Sequence, residues 1–256
     1  MSHRIFRQTL KSIKLGKYIK RKKKLKLMNI IVNGGTRGIG REVVDNLSQD
    51  TNNQIFVTGR NKGLLKDISR SYKNVRTYSI DMSLFDIQTK KFEDALMSSF
   101  KKVDILINLA GFMIAKDFID MTNSEGRLIM ETNFFGPASL IRVIKPMMPA
   151  GSHIVNVSSM GGFQGSEKYK GLSYYSASKA ALACLTECLA NEFTVYGISV
   201  NCLALGAVQT DMLNEAFPGY KAPVNAKQMA DFISGFAMTG HKFFNGKILP
   251  VAVGNP

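Results

Sequence analysis

The sequence predicts an α/β fold, a doubly wound and mainly parallel sheet of seven strands with helices on both faces. From Met28 onward, short runs rich in β-branched residues alternate with helical stretches, which is typical of a parallel sheet wrapped by helices. A glycine-rich turn at residues 33–40 stands between the first strand and the first helix. The 256 residues, 45% of them hydrophobic, suffice for one large core. We therefore expect a single domain over residues 28–256.

Each predicted strand is a short apolar run bounded by polar residues or glycine. The seven strands are expected at Asn29 to Asn33, Gln54 to Thr58, Val75 to Ile80, Val103 to Leu109, His153 to Val157, Ser199 to Leu203 and Lys247 to Val251. The helices are expected between them, at Gly38 to Leu47, Lys62 to Ser71, Asp86 to Phe100, Asn123 to Ile144, Tyr174 to Tyr196 and Ala226 to Phe236.

Residues 1–27 form a basic N-terminal extension that holds 11 of the 34 Lys and Arg residues and no acid. The net charge of +15 therefore falls to +4 over the rest of the chain, which is ordinary for a globular domain. The extension has four open interpretations. It is an organelle-targeting presequence, a polybasic arm for nucleic acid or anionic membrane, a solvated disordered tail, or an upstream extension of a reading frame that starts at Met28.

Cysteine and histidine usage argues against a disulfide framework, a metal site and a hydrolase triad. The three cysteines are odd in number and lie in apolar stretches, so we expect small buried side chains in a reducing, cytoplasmic compartment. Cys184 and Cys188 are spaced to share a helix face, but no histidine is spaced to complete a metal site. No apolar run approaches the ~18 residues of a membrane span, so we expect a soluble or surface-attached protein.

The glycine turn predicts a dinucleotide-binding site. Gly34, Gly38 and Gly40 permit a tight turn and close backbone approach, and the helix that follows directs its N-terminus at a pyrophosphate. The second strand ends without the acidic residue that holds the ribose hydroxyls of NAD. Arg37 and Arg60 stand nearby instead, and a guanidinium pairs well with phosphate. We therefore expect NADP(H) to be preferred over NAD(H).

A tyrosine, a lysine and a serine pair supply candidate chemistry. Tyr175 precedes Lys179 by one helical turn, so an ammonium on the same face is expected to lower the pKa of the phenol. Ser158 and Ser159 end the fifth predicted strand, and a serine hydroxyl there is able to bind a substrate oxygen. The residues alone do not choose between the two serines, because either one could instead cap a turn.

Residues Met28 to about Val251 resemble the short-chain dehydrogenase/reductase family, whose motifs occur here in family order. The resemblance implies an NAD(P)-binding Rossmann domain over residues 28–256. It implies catalytic roles for Asn133, Ser159, Tyr175 and Lys179, with Ser159 on the substrate oxygen and Asn133 in a proton relay. It also implies cofactor contacts at Gly34, Thr36, Arg37, Gly38, Ile39, Gly40, Arg60, Asp81, Met82, Asn108, Ala110, Gly111, Tyr175, Lys179, Val208 and Thr210.

The resemblance implies an NADP(H)-dependent oxidoreductase acting on a small ketone, aldehyde or secondary alcohol. Two departures keep open an alternative, a weakly active nucleotide-binding relative that serves as a regulatory or interaction module. Leu205 replaces a usual proline, which should loosen the following turn, and the segment from Thr210 to Ala226 is short for a substrate lid. The helix from Tyr174 is apolar around its circumference, and in the family such a helix packs on its copy, so we expect a homodimer or homotetramer.

Overall fold

The computed structural model describes residues 27–253 and contains the expected sheet of seven strands. The strands are β1 Met28–Asn33, β2 Asn53–Gly59, β3 Val75–Ser79, β4 Ile105–Asn108, β5 His153–Ser159, β6 Ser199–Leu205 and β9 Ile248–Val251. They are all parallel and run in the order β3-β2-β1-β4-β5-β6-β9. Two short strands, β7 Val208–Gln209 and β8 Val224–Asn225, form a separate parallel pair.

Helices cover both faces of the sheet, as predicted. Their bounds are α1 Gly38–Ser48, α2 Lys62–Ser71, α3 Phe85–Ser99, α4 Asn123–Met130, α5 Gly136–Ile144, α6 Ser173–Glu192, α7 Asp211–Ala216 and α8 Ala226–Thr239. Helices α1, α2 and α8 contribute to one buried apolar cluster, and α3, α5 and α6 contribute to the other. Among residues 27–253, no helix has both the length and the apolar character that a membrane crossing requires.

The strands are continuous apolar runs because both of their faces are buried. In β1, Ile30 and Val32 face one cluster while Ile31 faces the other, and all three are fully buried. This pattern is typical of parallel sheets sandwiched between helices. Burying such side chains stabilises the fold by about 1.5–3 kcal/mol each before the entropy of ordering is counted.

The strand order reverses between β1 and β4. From β1 the chain builds outward through β2 and β3, and from β4 it builds outward the other way through β5, β6 and β9. Loops that leave β1 and β4 at their carboxyl ends therefore diverge and open a crevice. In open α/β sheets ligands bind at such a switch point.

The predicted continuous helix from Asn123 to Ile144 is wrong in one respect, because a π-helical turn at Glu131–Phe135 divides it into α4 and α5. Pro137 lies in the first turn of α5. It lacks the N–H that would close an α-helical bond onto the carbonyl of Asn133, so the chain widens locally. The π turn places Asn133, a predicted site residue, in an irregular and fully buried position.

The prediction that all three cysteines are buried is also wrong. Cys202 in β6 is fully buried, but Cys184 and Cys188 are exposed on the outer face of α6, and all three are free thiols. The small apolar residues of α6 gave no sign of which side faces outward. The interpretations of the basic extension concern residues 1–27, of which all but Leu27 lie outside the described residues.

Leu205 lies within β6, and the looser turn expected after it stays a prediction. It continues β6 by pairing with Ser159 on one side and Val251 on the other. The N–H of Gly206 then donates to the carbonyl of Val251 at 3.0 Å. Proline at position 205 would lack a backbone donor, whereas leucine allows the strand to extend and remain buried.

Candidate active site

The glycine turn after β1 is pressed against the segment after β4. A Cβ atom on Gly34 would lie 2.5 Å from the amide nitrogen of Ala110, and one on Gly40 would collide with the carbonyl oxygen of Gly34. Gly34 and Gly38 have φ values of 90° and 55°, in the region that favours glycine. The turn therefore tolerates no side chain at these positions. It leaves the N-terminus of α1 open toward the crevice, a geometry that fits a dinucleotide pyrophosphate.

Arg60 and Arg37 lie at the outer side of this turn. Both are exposed, and the Arg60 guanidinium lies 3.8 Å from the Asp81 carboxylate. Asp81 in turn caps a short 3-10 helix by accepting from the Ser83 amide at 3.0 Å. The end of β2 carries no carboxylate, since Gly59 and Arg60 are followed by Asn61, which caps α2.

The remaining predicted cofactor residues lie around the same turn. Thr36 packs its methyl group on Gly59, and the methyl group of Thr210 would lie 3.6 Å from a Cβ on Gly38. Thr210 also caps α7, the only helix between Thr210 and Ala226. The buried members of the predicted set are Gly40, Met82, Asn108, Lys179 and Val208, and Ile39 is partly buried against the core.

The segment after β4 connects the glycine turn to the predicted catalytic residues. A Cβ on Gly111 would lie 3.5 Å from the Nζ of Lys179 and 3.8 Å from the Oδ1 of Asn133. Ala110, one residue earlier, touches Gly34. The segments that follow β1 and β4 therefore meet the π turn and α6 at the carboxyl edge of the sheet.

Lys179 is a buried ammonium at the centre of this region. Its side chain is 4% exposed, and Nζ donates to the Val157 carbonyl at 3.0 Å. Desolvation lowers the pKa of Lys179 to about 8, and the nearby Cys202 thiol acts in the opposite direction. The group therefore remains mainly protonated near neutral pH.

The Ser159 side chain lies beside the Tyr175 phenol. Desolvation raises the pKa of Tyr175, and the interaction with Ser159 opposes that rise. The expectation that Lys179 lowers the pKa of Tyr175 is therefore wrong for this arrangement. Nζ of Lys179 lies 5.9 Å from the centre of the Tyr175 ring and is directed at Val157 instead.

The geometry distinguishes the two serines. The hydroxyl of Ser158 is buried and donates to the Lys179 carbonyl at 2.8 Å, so it ties β5 to α6. The hydroxyl of Ser159 accepts from the Gly161 amide at 3.1 Å and lies against Tyr175. Only Ser159 faces the tyrosine. The structural role of Ser158 was missed, because the sequence shows two adjacent serines without their directions.

Asn133 braces the loop after β4 against α6. Its Oδ1 accepts from the Phe112 amide at 2.7 Å, and its Nδ2 donates to the Phe112 carbonyl at 2.8 Å and to Ser178 at 2.9 Å. Ser178 and Phe112 are partners that sequence reasoning did not find. The predicted relay from Lys179 to solvent stays a prediction, because these bonds occupy the side chain of Asn133.

The loop after β4 and the loop before α6 pack together and form a wall beside the site. The Lys116 amide donates to the Gly171 carbonyl at 3.0 Å, Lys170 pairs with Asp117 at 3.0 Å, and Phe118 stacks on Tyr174 with ring centres 6.0 Å apart. A cavity of about 570 Å³ opens along this wall. Tyr175 and Ser159 are not among its lining residues, so the cavity adjoins the site rather than containing it.

Sequence comparison decides the family. The sequence model of the short chain dehydrogenases matches residues 28–221. The chain belongs to the short-chain dehydrogenase/reductase family. It is 32% identical to the 3-oxoacyl-acyl-carrier-protein reductase FabG of Aquifex aeolicus, over 71% of this chain and 74% of that protein. It is 30% identical to dehydrogenase/reductase SDR family member 7B of Danio rerio, over 74% of this chain but only 64% of that protein's length.

Solved structures share the fold. A short chain dehydrogenase from Burkholderia cenocepacia in complex with NADP superposes with a TM-score of 0.76 at 23% identity, covering 89% of this chain and 97% of that one. A 4-hydroxyisoleucine dehydrogenase complexed with NADH gives 0.78 at 21% identity, covering 89% and 98%. The chain is thus an oxidoreductase of a family that binds nicotinamide nucleotides, and these neighbours do not choose between the two forms.

Proposed function

We propose that the protein is an NADP(H)-dependent oxidoreductase that interconverts a small carbonyl compound and its secondary or primary alcohol. The observation that carries the proposal is the placement of Tyr175 beside Ser159, with the buried ammonium of Lys179 against Gly111 and a glycine turn pressed on the same segment. A bound nicotinamide dinucleotide supplies or accepts the hydride. The 3-oxoacyl substrate named for the Aquifex relative is also a carbonyl compound, which supports the substrate class.

Tyr175 is the proposed acid and base. In reduction its hydroxyl gives a proton to the carbonyl oxygen, and in oxidation the phenolate takes it back. A phenol with a raised pKa is protonated at neutral pH, so Tyr175 carries the proton that reduction requires, while the raised pKa makes it a weaker acid. Ser159 donates a hydrogen bond to the same substrate oxygen and stabilises developing negative charge. Lys179 contributes a positive charge and further donors for a ribose.

Arg60 and Arg37 are the proposed determinants of NADP(H) preference. Both guanidinium groups are exposed beside the end of β2, which lacks a carboxylate to repel a phosphate. Asp81 lies near Arg60, but an exposed pair at 3.8 Å contributes little and yields readily to a phosphate. A charge-assisted pair with phosphate is worth about tenfold or more in affinity.

The direct test follows the absorbance of reduced nicotinamide while purified protein is mixed with a panel of ketones and aldehydes. We expect consumption of NADPH to exceed that of NADH. Arg60→Ala should weaken NADPH binding about tenfold and leave NADH binding unchanged, whereas Arg142→Ala, an exposed arginine on α5, should change neither. Equal affinities for both nucleotides in the unchanged protein would remove the NADP(H) preference. Absence of turnover across the panel would favour a binding module.

We also propose a homodimer or homotetramer formed through α6. Its outer face exposes Ala177, Ala180, Cys184 and Cys188, small side chains that permit close approach of a second helix. Sedimentation at micromolar concentration should give a mass above that of one chain, and Ala180→Arg should reduce it to that of a monomer. A monomer before any substitution would contradict the proposal.

A cytoplasmic location is proposed on the state of the cysteines. The described chain holds three free thiols, two of them exposed, which suits a reducing compartment. Fractionation of cells that express the complete sequence should recover the protein with the cytosol. Recovery in a membrane or organelle fraction would overturn this and favour a role for the basic extension.

A further inference from the structure

A chain of five buried polar side chains crosses the sheet near the carboxyl ends of its strands. In order it runs from Thr58 on β2 through Asn33 on β1, Asn108 on β4 and Asn156 on β5 to Thr186 on α6. The four bonds between them measure 2.9, 3.1, 2.9 and 2.9 Å. No member is more than 1% exposed. We name this chain the amide ladder.

The strand register produces the ladder. Thr58, Asn33, Asn108 and Asn156 are direct neighbours across β2, β1, β4 and β5, so their side chains project from one face at one level. The residues two positions earlier on β1, β4 and β5 belong to the apolar cluster beneath α3, α5 and α6. The ladder is therefore the polar rim of an apolar layer. A partner lost there leaves a donor or acceptor unsatisfied.

Every bond in the ladder has the same direction. The Thr186 hydroxyl donates to the Leu182 carbonyl at 2.9 Å, so its single proton is used and its oxygen accepts from Asn156. That fixes the amide of Asn156 with its oxygen toward Asn108, and the amide of Asn108 with its oxygen toward Asn33. Thr58 must then donate to Asn33. A substitution at one end therefore removes the constraint that orients each amide of the ladder.

The two ends of the ladder meet the two halves of the active site. The carbonyl of Thr58 accepts the amides of Gly34 and Gly35 at 3.0 and 3.1 Å, so it anchors the glycine turn. Thr186 lies on α6 two helical turns after Lys179. The middle member, Asn108, ends the strand that leads to Ala110 and Gly111.

Asn33 is the residue that extends the ladder to β2. The asparagine amide accepts from Thr58 with its oxygen while donating to Asn108 with its nitrogen. One side chain on β1 thus joins the neighbouring strands β2 and β4.

We propose that Thr58, Asn33, Asn156 and Thr186 are positioning residues, and that the ladder couples the seating of the dinucleotide on the glycine turn to the position of the catalytic helix α6. The coupling passes through oriented side-chain bonds rather than through contact of these residues with the reactants. The coupling rests on the proposed function only in the first test below, which measures NADPH affinity.

The first test changes the end of the ladder away from the glycine turn. Thr186→Val removes the acceptor for Asn156 with little change of shape, and we expect NADPH affinity, measured by calorimetry, to fall about tenfold. Thr186→Ser keeps the hydroxyl and should restore the original affinity. Thr89→Val is the matched control, because the Thr89 hydroxyl makes the same bond to a carbonyl four residues earlier, at 2.9 Å, on α3.

Affinity that is unchanged in Thr186→Val, or lowered equally in Thr89→Val, would overturn the coupling. Failure of Thr186→Ser to restore affinity would overturn it as well, since the loss would then come from packing. If the unchanged protein binds neither NADPH nor NADH, the proposed function fails, and the ladder is judged by the second test alone.

The second test is a double-mutant cycle that needs no cofactor. Thr58→Val and Thr186→Val are made singly and together, and unfolding equilibrium constants are measured in urea. Three residues separate the two threonines, so independent sites would give effects that multiply within about twofold. If the ladder acts as a unit, the unfolding equilibrium constant of the double variant should change by a factor at least about fivefold smaller than the product of the two single-variant factors. Multiplicative effects would refute the ladder as a unit even where both variants fold.

Discussion

Acidification should destabilise the protein through His153, the first residue of β5. The ring is fully buried, its Nδ1 lies 3.0 Å from the Ala237 carbonyl, and its Nε2 lies 3.0 Å from the Nδ2 of Asn201. Asn201 is held in this orientation because its Oδ1 accepts from the Lys247 amide at 3.1 Å. Only the neutral ring with its proton on Nδ1 satisfies both partners, since a second proton would face the amide donor.

The magnitude follows from the pKa. Desolvation, joined by the nearby His241 and opposed by the bond to Ala237, lowers the pKa of His153 from 6.5 to about 4. The unfolded chain therefore binds a proton as pH falls below 6.5, while the folded protein does not until about pH 4. The free energy of unfolding is therefore highest, as far as His153 is concerned, above pH 6.5. As pH falls from 6.5 toward 4, protonation of the unfolded chain lowers this free energy by about 3 kcal/mol in all.

Urea unfolding at a series of pH values measures this contribution. We compare the unchanged protein with His153→Gln, and use the slope of unfolding free energy against pH rather than its absolute value. Groups that do not interact with His153 contribute alike to both slopes. Between about pH 6 and about pH 4.5, the unchanged protein should lose about 1 kcal/mol more per pH unit than the variant. Parallel slopes would refute the reasoning and show that the ring titrates normally in the folded protein.

Two further predictions concern glycines. Gly126→Ala should lower the unfolding free energy by about 1–3 kcal/mol, because its Cβ would lie 2.5 Å from the Tyr174 ring. Gly235→Ala, in α8 with open space around it, should instead raise thermal stability slightly. Equal melting temperatures of the two variants would contradict this contrast. Gly162→Ala would place a Cβ atom 2.6 Å from the backbone of α6. We expect this contact to displace α6 and to reduce turnover more than cofactor affinity, as steady-state kinetics and calorimetry would show. Unaltered turnover would mean that the loop yields instead.

Parallel strands buried on both faces are the part of the fold that the sequence predicts well. The predicted strand at Gln54 to Thr58 falls one residue short of β2 at each end, and the predicted helix at Lys62 to Ser71 matches α2. Asn61 explains the sharp start of that helix, because its side chain accepts from the Leu64 amide at 3.0 Å. A continuous apolar run and a cap are local signals, so one sequence suffices to find them.

The π turn, the directions of the serines and the exposed thiols depend on contacts between distant segments. The Ser158 hydroxyl donates to the carbonyl of Lys179, whereas the Ser159 hydroxyl accepts from Gly161 and lies beside the Tyr175 phenol. Cys184 and Cys202 occupy equally apolar stretches, yet one lies outward on a helix and the other inside a strand. Such choices are made by tertiary packing, which periodicity in one segment does not record.

The pKa of Tyr175 shows the same limit in chemical terms. A lysine one turn away predicts a lowered pKa, but the side chain of Lys179 bends to the Val157 carbonyl and desolvation prevails. Spacing along a helix brings two side chains to one face without fixing where their charged ends point. The ladder could not be predicted either, because its bonds require the register of four strands.

The central claim is that the Tyr175 hydroxyl transfers the proton, and one comparison of neighbouring tyrosines tests it most directly. Tyr175→Phe and Tyr174→Phe each remove one hydroxyl from adjacent positions of α6, and turnover of the best carbonyl substrate is measured after NADPH binding is verified for both. We predict that Tyr175→Phe lowers turnover by about a hundredfold or more while Tyr174→Phe keeps it nearly unchanged. Equal turnover in the two variants, with nucleotide bound, would contradict the account.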